Sequence, residues 1–191
     1  MRLFVALEIP AEIRNGLAAL IESLRALAQQ ERDKRPRWAR PENLHVTLKF
    51  IGDAHATKLA GIRTALSAVR SDRPVDLAFR GLGFFPNERR PKVFWAGIEA
   101  SGNLQSLAED IETELEAFGV AREQRAFAPH LTLARFEPPG LHEKLRAAIQ
   151  KEITRDFGSL HTREFHLFES KTKSSGAEYT RMASFPFATE A

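Results

Sequence analysis

Two short runs of this chain carry an imidazole and a hydroxyl at the same spacing: NLHVTLKFIG at residues 43–52 and APHLTLARFE at 128–137. Each reads His, apolar, Thr, Leu, so His45 and Thr47 in the first run answer His130 and Thr132 in the second, 85 residues later. On an extended strand alternate side chains share a face, which puts His45, Thr47 and Lys49 together and sends Val46, Leu48 and Phe50 to the core. The same parity joins His130 to Thr132, opposite Leu131 and Leu133. Imidazoles titrate near neutrality and hydroxyls donate to charged oxygens. Two such pairs facing each other make a site for an oxyanion, with a general acid on one side and a general base on the other. A lone triplet of this kind is an ordinary exposed strand face; its recurrence at matching places makes it a candidate site. Two histidines with no carboxylate or thiol beside them form a poor metal shell, so neither metal nor other cofactor is expected. His55, His142, His161 and His166 read as loop, helix-start or strand-rim residues. No G-x-x-x-x-G-K-S/T, G-x-G-x-x-G or G-x-S-x-G run is present, which argues against nucleoside triphosphate, dinucleotide and serine-hydrolase chemistry.

The elements that must position these pairs are written twice. RLFVALE (2–8) is matched by VFWAGIE (93–99), and both are short β-prone runs. Each leads into helical periodicity: Ile13, Leu17, Leu20, Ile21, Leu24 and Leu27 in the first half, Leu104, Leu107, Ile111, Leu115 and Phe118 in the second. After each His/Thr strand comes a second helical pattern, Leu59 to Val69 and Leu141 to Ile153, and then a strand, VDLAFRGLGF (75–84) or EFHLFES (164–170). A turn at Ser174, Ser175 and Gly176 precedes one more strand, EYTRMASFPF. The short join PNERRP (86–91) favours antiparallel pairing. The expected fold class is α+β: duplicated β-α-β-α-β units related by a pseudo-twofold, forming two antiparallel sheets that line a central cleft, with helices outside. The whole chain, 1–191, reads as one bilobal domain with approximate internal repeats 1–90 and 91–191.

Composition fits that picture. The 191 residues are 43% hydrophobic, enough to bury a core of this size, and include no cysteine, which excludes disulfides, thiolate metal sites and a cysteine nucleophile. The N-terminal apolar run ends early at Glu8 and Pro10, unlike a secretory leader, and no segment has the length of a membrane span. A cytoplasmic monomer without membrane association is the expectation. Net charge is +3, with basic clusters at Arg32, Lys34, Arg35, Arg37 and Arg40 and at Arg89, Arg90 and Lys92 that are either solvated loops or an anion footprint. The charged loop QQERDKRPRWAR (29–40) either closes over the cleft or is solvated, the second reading being preferred.

The paired H-x-T-x motifs, together with RWARPENLHVTLKFIGD, GLGFFPNERRPKVFWAGI, FAPHLTLARF and LFESKTKSSGAEYT, resemble the RNA 2′,3′-cyclic phosphodiesterases, also called 2′,5′ RNA ligases, of the two-histidine phosphoesterase superfamily. The similarity runs nearly end to end. It implies a bilobal arrangement of antiparallel sheets with the motifs in a central cleft, and metal-independent hydrolysis of a terminal RNA 2′,3′-cyclic phosphate to a 2′-phosphomonoester. By the same resemblance His45 is the general acid, His130 the general base, and Thr47 and Thr132 hold the non-bridging oxygens. Arg135, in LTLAR, matches a phosphate-binding arginine, although strict alternation turns it toward the Leu131 and Leu133 face unless the strand ends or bulges there; Lys49 is its geometric competitor. Trp38, Phe84, Phe85 and Trp95 are candidates for stacking a terminal base, Trp38 foremost, with a core role equally open for Phe84 and Trp95, and Arg89, Arg90 and Lys92 for contacting upstream phosphates. The expected partner is RNA with a cyclic phosphate end, tRNA fragments among the candidates, or a nucleotide. Two alternatives stay open: a phosphoesterase for small cyclic nucleotides or 2′,5′-oligoadenylates, and a non-catalytic nucleotide-binding module. Reverse 2′,5′ ligation follows from microscopic reversibility.

Overall fold

The computed structural model describes residues 1–29, 36–71, 73–174 and 176–187. Strand β1 (Arg2–Glu8) is followed by α1 (Ala11–Ala28), the short β2 (Arg37–Trp38) and the first motif strand β3 (His45–Asp53). Then come α2 (Leu59–Ala68), the hairpin β4 (Val75–Phe85) and β5 (Val93–Ala100), α3 (Asn103–Glu116) and the second motif strand β6 (His130–Arg135). The chain ends with α4 (Glu143–Lys151), β7 (Asp156–Thr162), β8 (Glu164–Lys173) and β9 (Gly176–Pro186). The α+β expectation holds, with every strand pairing antiparallel. Strands β2 and β7 are additions: the sequence places the former in a loop and assigns residues 156–162 to no element. Arg32, Lys34, Arg35 and Ser175 of the expected loop and turn lie outside the described residues.

The two sheets have the orders β3-β1-β8-β9 and β2-β6-β5-β4-β7. Each takes strands from both halves of the chain, because β4 leaves the first half to pair with β5, and β8 leaves the second half to pair with β1. The helices follow the same exchange, with α1 packing on α4 and α2 on α3. Their apolar stripes make this possible: Ile13, Leu17, Leu20, Ile21 and Leu24 of α1 are all buried, as are Leu104, Leu107, Ile111 and Leu115 of α3. One continuous core joins the helices to one face of each sheet, with Phe79, Phe94 and Phe165 completely enclosed. The opposite face of the first sheet carries a separate cluster of Phe4, Ala6 and Phe168 with Tyr179 against it. No helix among the described residues is long and apolar enough to cross a membrane.

Candidate active site

Both motif strands contain an extra residue at the same place, and β3 has a second at Ile51, between Phe50 opposite Phe4 and Gly52 opposite Leu3. In β3, Thr47 lies opposite Ala6 and Lys49 opposite Val5, so Leu48 has no partner; in β6, Thr132 lies opposite Trp95 and Ala134 opposite Phe94, so Leu133 has none. A bulge of this kind reverses the alternation beyond it. The residues up to the threonine keep the expected parity, and those after Leu48 and Leu133 change sides. Arg135 thereby moves out of the core and onto the face of His130 and Thr132, the condition its assignment required.

The same reversal corrects two other expectations. Lys49 does not share the face of His45 and Thr47: it is buried, and its ammonium donates to the Glu112 carboxylate at 2.5 Å and to the Ala121 carbonyl at 2.7 Å. Phe50, expected in the core, is 62% exposed. Trp38 is half-buried: sitting opposite Ala134 on the short β2, it packs against the core and meets the enclosed Phe94 edge-on at 6.5 Å. Phe84 is core as well, whereas Phe85 and Trp95 lie together at 5.2 Å on the His130 side. Arg89, Arg90 and Lys92 are exposed on or beside the β4–β5 turn, where Asn87 accepts the backbone N–H groups of Arg89 and Arg90.

The two histidines are held in the same way. Nδ1 of His45 donates to the Asn43 carbonyl at 2.6 Å, and Nδ1 of His130 to the Ala128 carbonyl at 2.8 Å. A carbonyl only accepts, so Nδ1 carries the proton in both rings and Nε2 is left to act. Aromatic edges fix the ring planes: Phe85 stands perpendicular to His130 at 5.0 Å, and Tyr179 perpendicular to His45 at 5.3 Å, with Phe4 4.7 Å away. This enclosure has an electrostatic effect. Burial pushes His45 below its ordinary pKa, opposed by the bond to Asn43. Beside each hydroxyl-imidazole pair the neighbouring strand is cleared: Ala6 lies opposite Thr47, and Gly97 lies opposite His130. Gly97 has no alternative, since a Cβ there would sit 2.5 Å from the Arg80 carbonyl oxygen.

Strands β3 and β6 touch across the junction of the two sheets, and the charge of Arg135 acts on the phenol of Tyr179, the ring that edges His45. Two imidazoles with free Nε2 atoms, two hydroxyls and a guanidinium therefore belong to one neighbourhood assembled from both sheets. The model of the 2′-5′ RNA ligase superfamily matches residues 10–172, a span that includes both motif strands. The chain belongs to this superfamily. Among its members, proteins named RNA 2′,3′-cyclic phosphodiesterase from Archaeoglobus fulgidus and Methanothermobacter thermautotrophicus are each 31% identical. The alignments cover 97% of this chain in both cases, and 99% and 98% of those relatives. A crystal structure from Thermus thermophilus superposes with a TM-score of 0.79 at 28% identity, over the full length of both chains. E. coli LigT in complex with 3′-AMP gives 0.72 at 25% identity, covering 98% of each. The superfamily's fold thus accounts for the two antiparallel sheets and the strand exchange between them.

Tyr179, Phe50 and Arg2, which line the His45 side, were not singled out by sequence reasoning. Tyr179 is the one tyrosine in the chain and has no periodic partner to flag it. Phe50 was hidden by the bulge.

Proposed function

We propose that this chain hydrolyses the 2′,3′-cyclic phosphate at an RNA end to a 2′-phosphomonoester. The observation that carries the reading is the duplicated pair: two imidazoles, each with Nδ1–H tied to the carbonyl two residues back and each sharing a strand face with a threonine. Nε2 of His130 takes a proton from water as the water oxygen attacks phosphorus. The P–O3′ bond breaks, and Nε2–H of His45 delivers a proton to the departing O3′. Thr47, Thr132 and Arg135 donate to the non-bridging oxygens as charge builds on them. Acid, base and oxyanion donors are all side chains, so the reaction as written needs no metal. Each acid or base group supplies roughly 10²- to 10⁴-fold.

His45 is held toward its neutral form by burial. A phosphate anion at Nε2 acts in the opposite sense, so the acid form is recruited by the substrate. Phe85 and Trp95, in tilted contact at 5.2 Å beside His130, offer a surface for a base, while Arg89 and Arg90 stand on the adjacent turn for more distant phosphates. The reverse reaction, joining a cyclic end to a 5′-hydroxyl, uses the same groups with acid and base exchanged. The names of the relatives and the adenylate bound to LigT support the substrate class. The test is to incubate the protein, in EDTA, with an RNA ending in a 2′,3′-cyclic phosphate and identify the product by phosphorus NMR. A 2′-phosphate, lost in both His45→Ala and His130→Ala, is expected; a 3′-phosphate, or undiminished turnover in either variant, refutes the assigned roles.

A further inference from the structure

One row of the first sheet's cleft face is left unexplained by this reaction. Arg2 lies opposite Ser170, and Ser170 lies opposite Tyr179, so the three side chains share a face in consecutive strands. The next row inward is Phe50, Phe4 and Phe168. Beyond it stands Thr47, opposite Ala6. Arg2 is exposed, and among the described residues it has no carboxylate within ion-pair distance, even though Asp53 is its register partner on β3. Arg135 is likewise without a carboxylate. By contrast, Arg37, Arg80, Arg122, Arg146 and Arg155 all pair with acidic side chains. The phenol of Tyr179 feels both guanidiniums, Arg135 from the second sheet and Arg2 from its own. Burial raises its pKa, which keeps the hydroxyl a donor at neutral pH.

Resting on the reading above, we propose that Arg2, with the hydroxyls of Ser170 and Tyr179, forms a second anion subsite that takes the 5′-phosphate of the nucleotide whose cyclic phosphate reacts at the histidines. In an RNA that phosphate is the diester leading to the rest of the strand. The arrangement of rows follows the arrangement of a nucleotide: reacting phosphate at Thr47 and Thr132, sugar and base over the exposed ring of Phe50, next phosphate at Arg2. A guanidinium and two hydroxyls sharing one strand face suit a phosphate, whose oxygens accept from several directions. The consequence is specificity for strand ends over free cyclic mononucleotides, and a direction for the RNA, which leaves the cleft over the N-terminal end of β1.

The experiment compares adenosine 2′,3′-cyclic phosphate with the same molecule bearing a 5′-phosphate. The wild-type protein should favour the 5′-phosphorylated substrate by roughly ten- to a hundred-fold in kcat/KM, expressed in KM, as expected for a charged hydrogen-bonded contact. Arg2→Ala should bring that ratio near one, Arg2→Lys should restore part of it, and Tyr179→Phe, which keeps the ring against His45, should lower it in part. The preference should also fall as salt rises, with a shallower dependence in Arg2→Ala. A wild-type ratio of one, or a ratio unaltered in Arg2→Ala, overturns the subsite. If neither molecule is turned over, an RNA ending in a 2′,3′-cyclic phosphate decides the hydrolase reading, which fails if that too is left intact, and the subsite is judged separately by binding of adenosine 2′-phosphate against adenosine 2′,5′-bisphosphate. Tighter binding of the bisphosphate, abolished in Arg2→Ala, supports it; equal binding overturns it.

Discussion

Replacing Lys49 by methionine should destabilise the protein although the new side chain is apolar and similar in length. Lys49 is 3% exposed and its partner Glu112 only 14%, so removing the ammonium strands a nearly dry carboxylate. Breaking a buried pair from one side costs on the order of 3–5 kcal/mol. Glu112 retains a little water and the backbone N–H of Glu123, which places the cost near the lower end, about 3 kcal/mol. For a chain of this size each kcal/mol moves the unfolding midpoint by roughly 2–4 °C, so a fall of about 6–12 °C is expected. The double variant Lys49→Met/Glu112→Leu should recover most of it, because exchanging a whole buried pair for apolar side chains is often neutral. Thermal unfolding of the wild type, both single variants and the double variant measures the coupling. Activity adds a second readout, since Lys49 also binds the Ala121 carbonyl, in the segment leading to Ala128, whose carbonyl orients His130. The folded Lys49→Met protein should show a reduced kcat. A midpoint within 2 °C of wild type for Lys49→Met, or a double variant as unstable as the two single losses added together, would refute the argument.

Further outcomes follow from other parts of the structure. Gly83→Ala would place a Cβ 2.3 Å from the Trp95 indole, so the ring must leave its seat beside Thr132 and Phe85; altered tryptophan fluorescence and reduced turnover are expected, and unchanged values of both would contradict that seating. His45 and His166 both titrate below their ordinary range, chiefly because burial disfavours the charged ring. The unfolded chain therefore binds more protons than the folded one as pH drops below about 6.5. Stability should be flat from pH 8 to 7 and decline toward pH 5.5, less steeply in His45→Gln; a midpoint that rises on acidification would reverse the sign. Trp38→Ala, which removes the ring packed against Phe94, should cost about 3 kcal/mol in denaturant unfolding, whereas an exposed stacking residue would cost almost nothing.

The chemistry of the site was legible because it is local. His45 and Thr47, like His130 and Thr132, need only the alternation of an extended strand to share a face, and the four helices announce themselves through their apolar stripes. What escaped is set by contacts distant in sequence. Neither Leu48 nor Leu133 differs in type from an ordinary strand residue, so nothing marks them as the extra residue that turns Lys49 inward and Phe50 and Arg135 outward. The partner that makes a buried Lys49 tolerable, Glu112, sits 63 residues away on α3, beyond the reach of any periodicity. Trp38 looked exposed because a two-residue strand gives no pattern. The exchange of β4 and β8 between the sheets was hidden for the same reason: local patterning fixes that a strand exists and which face is apolar, while its neighbour is decided by the packed whole.

That exchange shapes how the polypeptide must reach its final form on the ribosome. Strand β1 lies in the interior of its sheet, between β3 and β8, and the residue that pairs with Phe4 on the far side is Phe168, about 160 residues later. At roughly 5–20 residues per second, on the order of 10–30 s passes between the synthesis of the two strands. Throughout that interval an apolar edge waits for its partner, in the class of exposed edges prone to pair with other chains. Fragments cut between β4 and β5 would each inherit such an edge, so the halves should associate with one another rather than stand alone, and a cell making this protein has reason to shield its N-terminal strand until the last hairpin arrives.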